Sequence, residues 1–168
     1  MTSTADLHRA VSTIWNDSSL NNEFKSYWDE AKRDTFTVLH DGQAGPSQPF
    51  PYCVFSQSPG QTETKMSGKT SARREIRRLV LDFTVHARRY SYSPAKSAKM
   101  IASELIEEMM KVFGGHPTVL PRNLPALTNG YILQVTYVND QAIRVDGQDD
   151  EYTWKLQYTF QLDVPVAA

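Results

Sequence analysis

The segment "EYTWKLQYTFQLDV", residues 151–164, alternates without a break. Tyr152, Trp154, Leu156, Tyr158, Phe160 and Leu162 fall on one side; Thr153, Lys155, Gln157, Thr159 and Gln161 fall on the other. A period of two residues sustained over that length marks a strand with one buried and one wet face. The pattern recurs in "ARREIRRLVLDFTVHARRY", residues 72–90, where Leu79, Leu81, Phe83, Val85 and Ala87 alternate with Arg78, Val80, Asp82, Thr84 and His86. Two long strands with matching apolar faces must be covered by helices or by a second sheet. The arginines at Arg73, Arg74, Arg77 and Arg78 break the alternation, so they are expected where the strand runs out beyond the sheet.

The cover is helical. Ser93 is a candidate cap with Pro94 at the first helical position, and Ala98, Ile101, Ala102, Leu105, Met109, Val112 and Phe113 form one apolar stripe. Gly114 and Gly115 end the helix and Pro117 prevents a restart. An earlier helix is capped by Ser3 or Thr4 and presents Leu7, Ala10, Val11 and Ile14 on one face. Residues 20–34 mix aromatics with charges and read as a second helical turn or a structured loop. Residues 35–40 and 50–57 read as strands, the second starting at Tyr52 because Pro49 and Pro51 cannot donate to a ladder. Residues 130–138 make a further strand, with a connection at 139–150. This order predicts an α+β fold: a mainly antiparallel sheet of about five strands with two helices packed on one face. At 168 residues the chain reads as a single domain. Residues 58–70, polar and without an apolar period, read as a flexible arm.

Charge is unevenly spread. The formal total is -1. Residues 65–89 nevertheless carry Lys65, Lys69, Arg73, Arg74, Arg77, Arg78, Arg88 and Arg89 against only Glu75 and Asp82. Residues 1–64 and 139–163 are each acidic, the latter through Asp146, Asp149, Asp150 and Glu151 among others. A near-neutral total with segregated patches is less typical of a dedicated nucleic-acid binder than of subunits that dock on one another. The arginine and acidic clusters, Lys65, Lys69, Arg73, Arg74, Arg77, Arg78, Asp146, Asp149, Asp150 and Glu151, are therefore the candidate assembly interface.

Catalytic signatures are lacking. A single cysteine, Cys53, rules out an internal disulfide and any multi-cysteine zinc site. It reads as a small strand hydrophobe, and the chain as one folded in a reducing cytoplasm. The first residues lack the basic start and apolar stretch of a secretory leader, and no apolar run is long enough to span a bilayer. His8, His40, His86 and His116 show no metal-ligand spacing. In "VDGQDDE", residues 145–151, Gly147 follows the first aspartate directly, which breaks the spacing of a calcium loop and suits a hairpin turn. No phosphate-binding loop or nucleophile elbow occurs. The expectation is a protein that is not an enzyme and has no cofactor or metal. Tyr90 and Tyr92 beside Arg88 and Arg89 keep a single-strand nucleic-acid-binding module open as an alternative.

The element order, with "PFPYCVF", the polar stretch after it, "RRLVLDFTVHARRYSYSPAKSAKMIASELIEEMM" and the closing "YILQVTYVNDQAIRVDGQDDEYTWKLQYTFQLDV", resembles the tail terminator (tail-completion) proteins of long-tailed bacteriophages. The likeness spans nearly the whole chain and lies in polarity patterns. It implies a structural virion protein, made in the host cytoplasm, that forms a homo-hexameric ring at the head-proximal end of the tail tube. Such a ring stops tube polymerisation and joins the tail to the head. Its partners would be further copies of itself, the tail tube protein and a head–tail connector or neck protein. Genomic DNA would pass through its lumen without specific binding, and no membrane would be involved. Another neck or head-completion protein of the virion is the nearest alternative.

Overall fold

The structure, a computed structural model, describes residues 3–58, 63–67, 74–92, 94–114, 126–127, 130–143 and 150–165. The two alternating segments pair with each other and form the centre of the sheet. Strand β4 (Arg74–Arg88) lies antiparallel to β7 (Glu151–Pro165), in register from Arg74↔Pro165 to Arg88↔Glu151. The match aligns Leu79 with Phe160, Leu81 with Tyr158 and Phe83 with Leu156, so all the large apolar residues share one face. Outside this pair, β6 (Gly130–Ile143) joins β7, and β2 (Tyr52–Gln57) and β3 (Glu63–Ser67) follow one another along the far side of β4. Short β5 (Ala126–Leu127) and β1 (Leu39–Asp41) border β6 and β2.

The chain is α+β, as its pattern predicts, but the sheet differs from the expected one. Among the described residues it has seven strands, not about five, and it is mixed: β1 runs parallel to β2. The strand expected at 35–40 shrinks to three residues. Thr35 and Phe36 still donate to Lys32 O in a helical turn, and the chain joins the sheet only where Val38 O accepts from Cys53 N at 3.0 Å. The polar stretch expected as an arm contains β3, in register with Arg74–Arg78 of β4. A strand at a sheet's rim needs a backbone partner and not an apolar face, so it leaves no alternation to read. The same pairing keeps Arg74, Arg77 and Arg78 inside β4 instead of beyond its end.

The helices also depart from a simple pair on one face. Helix α4 (Ala98–Phe113) lies over β4 and β7, whereas α1 (Ser3–Asn16) reaches β1 and β5. Between them the stretch at 20–34 folds into α2 (Leu20–Lys25) and α3 (Glu30–Arg33). Leu20 and Phe24 of α2 are fully buried, and α2 packs against both α1 and α4. The α4 cap is Ser97, whose Oγ accepts from Met100 N at 3.2 Å; Pro94 precedes the helix. A two-way backbone bridge between Tyr90 and Lys96 holds the preceding chain extended.

Aromatic rings form the centre of the core. Phe113 lies 4.9 Å from Phe83, 5.9 Å from Tyr158 and 6.4 Å from Trp15, and Trp15 lies 5.4 Å from Phe24. Gly114 ends α4 at φ +112°, a conformation that glycine adopts readily, and its carbonyl accepts from Tyr158 Oη. Cys53 is buried, and that burial pushes its thiol pKa up, as for an inert core residue. Gly130 is required for a different reason: a Cβ there would meet Asp163 O at 2.4 Å. On the outer strand, Asp140 accepts from Tyr137 Oη and from Trp154 Nε1 at 2.9 Å, pinning β6 to β7 beside the irregularity at Tyr137/Asn139.

Truncating Phe113 removes a ring from the junction of both helical and sheet layers. Phe113→Ala should lower the free energy of unfolding by about 3–5 kcal/mol, and Ser97→Ala by about 1 kcal/mol, both measured by denaturant titration. Equal losses from the two would mean that the aromatic junction is not the centre of the core.

Candidate functional site

The predicted interface residues divide between the two ends of β4. At one end, Lys65 stands on β3 opposite Ile76, with Arg74 opposite Ser67, Arg77 opposite Thr64 and Arg78 opposite Glu63. Arg78 is exposed and Arg77 half-buried. At the other end, Asp150 is an exposed turn residue and Glu151 opens β7 against Arg88. The two ends are separated by the full length of β4, roughly 45 Å at about 3.3 Å per residue. Lys69, Arg73, Asp146 and Asp149 lie outside the described residues. Glu151 is engaged within the chain, since Arg88 Nε donates to its Oε1 at 3.1 Å and Nη2 donates to the same oxygen. Asp82, midway along β4, is likewise held by Gln157 at 2.8 Å and Lys155 at 3.1 Å on the sheet face away from the helices.

Around Arg88 the fold assembles a site from three distant segments. The Arg88 guanidinium lies 4.1 Å from the centre of the Phe50 ring, Phe50 meets Tyr52 at 5.1 Å, and Tyr52 stacks on His86 at 4.8 Å. Beyond Arg88 the chain leaves the sheet as Arg89–Tyr90–Ser91–Tyr92. Tyr90 packs edge-on against Tyr27 at 5.4 Å and tilts against Tyr92 at 5.4 Å. Between this exit and the segments at 27–32 and 46–50 runs a groove of about 530 Å³. Its base is fixed: Trp28 Nε1 donates to Pro51 O at 3.0 Å and Gln48 Nε2 to Thr37 O at 2.8 Å. Below it, Lys96 Nζ donates to Glu104 at 2.7 Å and to Tyr27 Oη at 3.3 Å, tying α4 to the α2–α3 segment. That hydrogen bond from Lys96 holds the Glu104 carboxyl below its ordinary range.

The Arg88–Tyr92 run was visible in the sequence as aromatics interleaved with guanidinium groups. Tyr27, Trp28, Pro49 and Phe50 were not, because nothing local links them to it; the aromatic-rich stretch at 24–28 was the one signal available. Among the described residues no three His, Cys, Asp or Glu side chains converge as metal ligands would. His8 pairs with Asp41 at 2.8 Å and His40 with Thr37 O at 3.0 Å, each at a separate place. No helix among the described residues is long and apolar enough to cross a membrane.

No family model matches the chain, and no curated protein is similar to it at a significant level. Among solved structures, it is similar to a chain in the virion of native gene transfer agent (GTA) particle. The TM-score is 0.42 and the identity 15%, over 86% of this chain and 91% of that one.

Burial lowers the pKa of His86 from 6.5, against an opposing pull from Glu151. Its neutral form is therefore the one that the fold favours. The resulting stability is fully present above pH 6.5 and is lost as the unfolded chain takes up a proton that the native chain resists. His86→Gln should flatten the fall in melting temperature between about pH 7.5 and about pH 5.5 relative to the parent. A parallel fall in both proteins would show that His86 contributes nothing to acid sensitivity.

Proposed function

We propose that this chain is a structural virion protein of a long-tailed phage, forming a ring at the head-proximal end of the tail tube. The ring ends tube growth and offers the head its joining surface. It is built from six copies of this chain, seated on the tail tube protein and facing a connector or neck protein. The DNA passes through the lumen without base-specific contact. The role is structural and not catalytic.

The observation that carries this reading is the β3–β4 hairpin. It is a backbone ladder of polar, arginine-rich sequence standing beyond Leu79, the first core residue of β4. None of the described side chains from Ile76 to Arg78 enters the core. A paired rim whose described side chains stay outside the core is suited to contact another subunit. A closed ring needs such unlike surfaces, one patch meeting a different patch on the next copy. The two ends of β4 differ in that way, one carrying Lys65, Arg74, Arg77 and Arg78 and the other opening on Asp150.

Reversing charge at the rim tests the reading. Arg77→Glu with Arg78→Glu should leave the far-ultraviolet spectrum unchanged. The doubly changed protein should no longer sediment with tail tubes, and electron micrographs should show no ring at their ends. Rings formed as readily by the changed protein as by its parent would refute the assignment of the hairpin to assembly.

A further inference from the structure

We propose that the outer edge of β6 is a two-fold docking surface for a second copy of this chain, paired antiparallel about Val138. The contact leaves the β3–β4 rim open, because β6 and β3 lie on opposite sides of the β4–β7 pair. It is independent of the ring: a chain that rings on tubes and stays monomeric off them would overturn only this assignment.

Strand β6 is long, and among the described residues only one of its sides is filled. Strand β7 pairs along it from Tyr131 to Ile143, whereas β5 meets the other side only at Gly130 and Tyr131. Ile132–Ile143 therefore offers an open backbone edge of roughly 40 Å at about 3.3 Å per residue. Soluble chains commonly guard such edges with lysine, proline or exposed charge. Gly130–Ile143 contains no lysine, arginine or proline. Its single charged residue, Asp140, is turned to Tyr137 and Trp154, from which its carboxylate accepts hydrogen bonds. Apolar side chains stand along the edge instead: Leu133 is 45%, Val138 44% and Ile143 41% exposed. Leu133 and Val138 are the residues that β6 gains at its two register shifts against β7. A bulge commonly bends an edge away from other strands. Here each bulge carries an exposed apolar residue that another strand can cover.

The spacing of these residues selects a second copy as the occupant. Leu133 and Ile143 each stand five residues from Val138. Antiparallel pairing about a two-fold axis at Val138 sets that residue against its own counterpart and Leu133 against Ile143 of the second copy. Opposed apolar pairs of this kind are the unit of sheet stabilisation. The same register sets Asp140 against Thr136 of the second copy and Ala142 against Gln134, so no like charges meet. With its one carboxylate engaged, the edge offers no charge that would select an acidic or a basic strand. Leu133–Ile143 paired with itself exchanges about ten backbone hydrogen bonds, the number that a typical interface carries.

Sedimentation velocity of the full chain, without tubes and over rising concentration, tests the pairing. The parent should reach a dimer and stop there, and so should the chain with Arg77→Glu and Arg78→Glu. Val138→Lys and Val138→Glu each set like charges opposite one another and should weaken the dimer by about tenfold or more. Mixed in equal amounts, the two variants should form a dimer again, because lysine then faces glutamate. Leu133→Glu mixed with Ile143→Lys repeats the test at the flanking pair, and far-ultraviolet spectra check that each variant is folded. The proposal is overturned by a parent that stays monomeric, by association that continues past two copies, or by a dimer that both Val138 variants retain. It is equally overturned if folded variants fail to restore the dimer when mixed, or if the rim substitutions alone dissolve it.

Discussion

The register between β4 and β7 is the constraint on which the rest of the structure depends. Fifteen residues of each strand face one another without a slip, and a shift of one residue would turn Leu79, Leu81, Phe83 and Val85 to the wrong face. Because the register holds, Phe83 and Tyr158 lie on one face, 6.1 Å apart, where Phe113 can reach both. That contact seats α4, and the carbonyl of Gly114 then accepts the Tyr158 hydroxyl. Trp15 reaches the same ring from α1, so α1 and α4 meet the sheet at one aromatic junction.

The same register sets what happens at the ends. Running β7 to Pro165 supplies Arg74–Arg78 with ladder partners on one side, and β3 supplies them on the other. A stretch with three basic residues in five, from Arg74 to Arg78, is thereby held in a sheet without apolar alternation to drive it there. At the opposite end the register places Glu151 against Arg88, which fixes the guanidinium over Phe50 and positions the exit of the chain along the groove. The rim and the groove therefore lie at the two ends of one ladder.

How much of this was legible in the sequence follows from what each element needs. Strands β4 and β7 and helix α4 bury one face against a common core, so their periods appear directly in Leu79–Ala87, Tyr152–Leu162 and Ala98–Phe113. Strand β3 pairs with Arg74–Arg78, and Glu63–Ser67 carries no apolar alternation that would announce it. Helices α2 and α3 are too short to show a period, and the burial of Leu20 and Phe24 depends on α1 and α4 being in place. The basic cluster at Arg74–Arg78 was legible as a surface, but its extended backbone was not. The ion pair of Glu151 with Arg88 depends on register between strands far apart in sequence, so Glu151 looked like one of an acidic group when it is already engaged. The groove joins residues 27–32, 46–50 and 88–92, and only the last of these announced itself.

The central claim is that the β3–β4 rim exists to contact another subunit or the tube end, and amide hydrogen exchange tests it most directly. Exchange would be followed in the free chain and again after mixing with tail tubes. The account predicts new protection across Glu63–Ser67 and Arg74–Arg78 on mixing, with Leu79–Val85 already protected in both samples. Unchanged exchange at the rim, with tubes demonstrably bound, would contradict it.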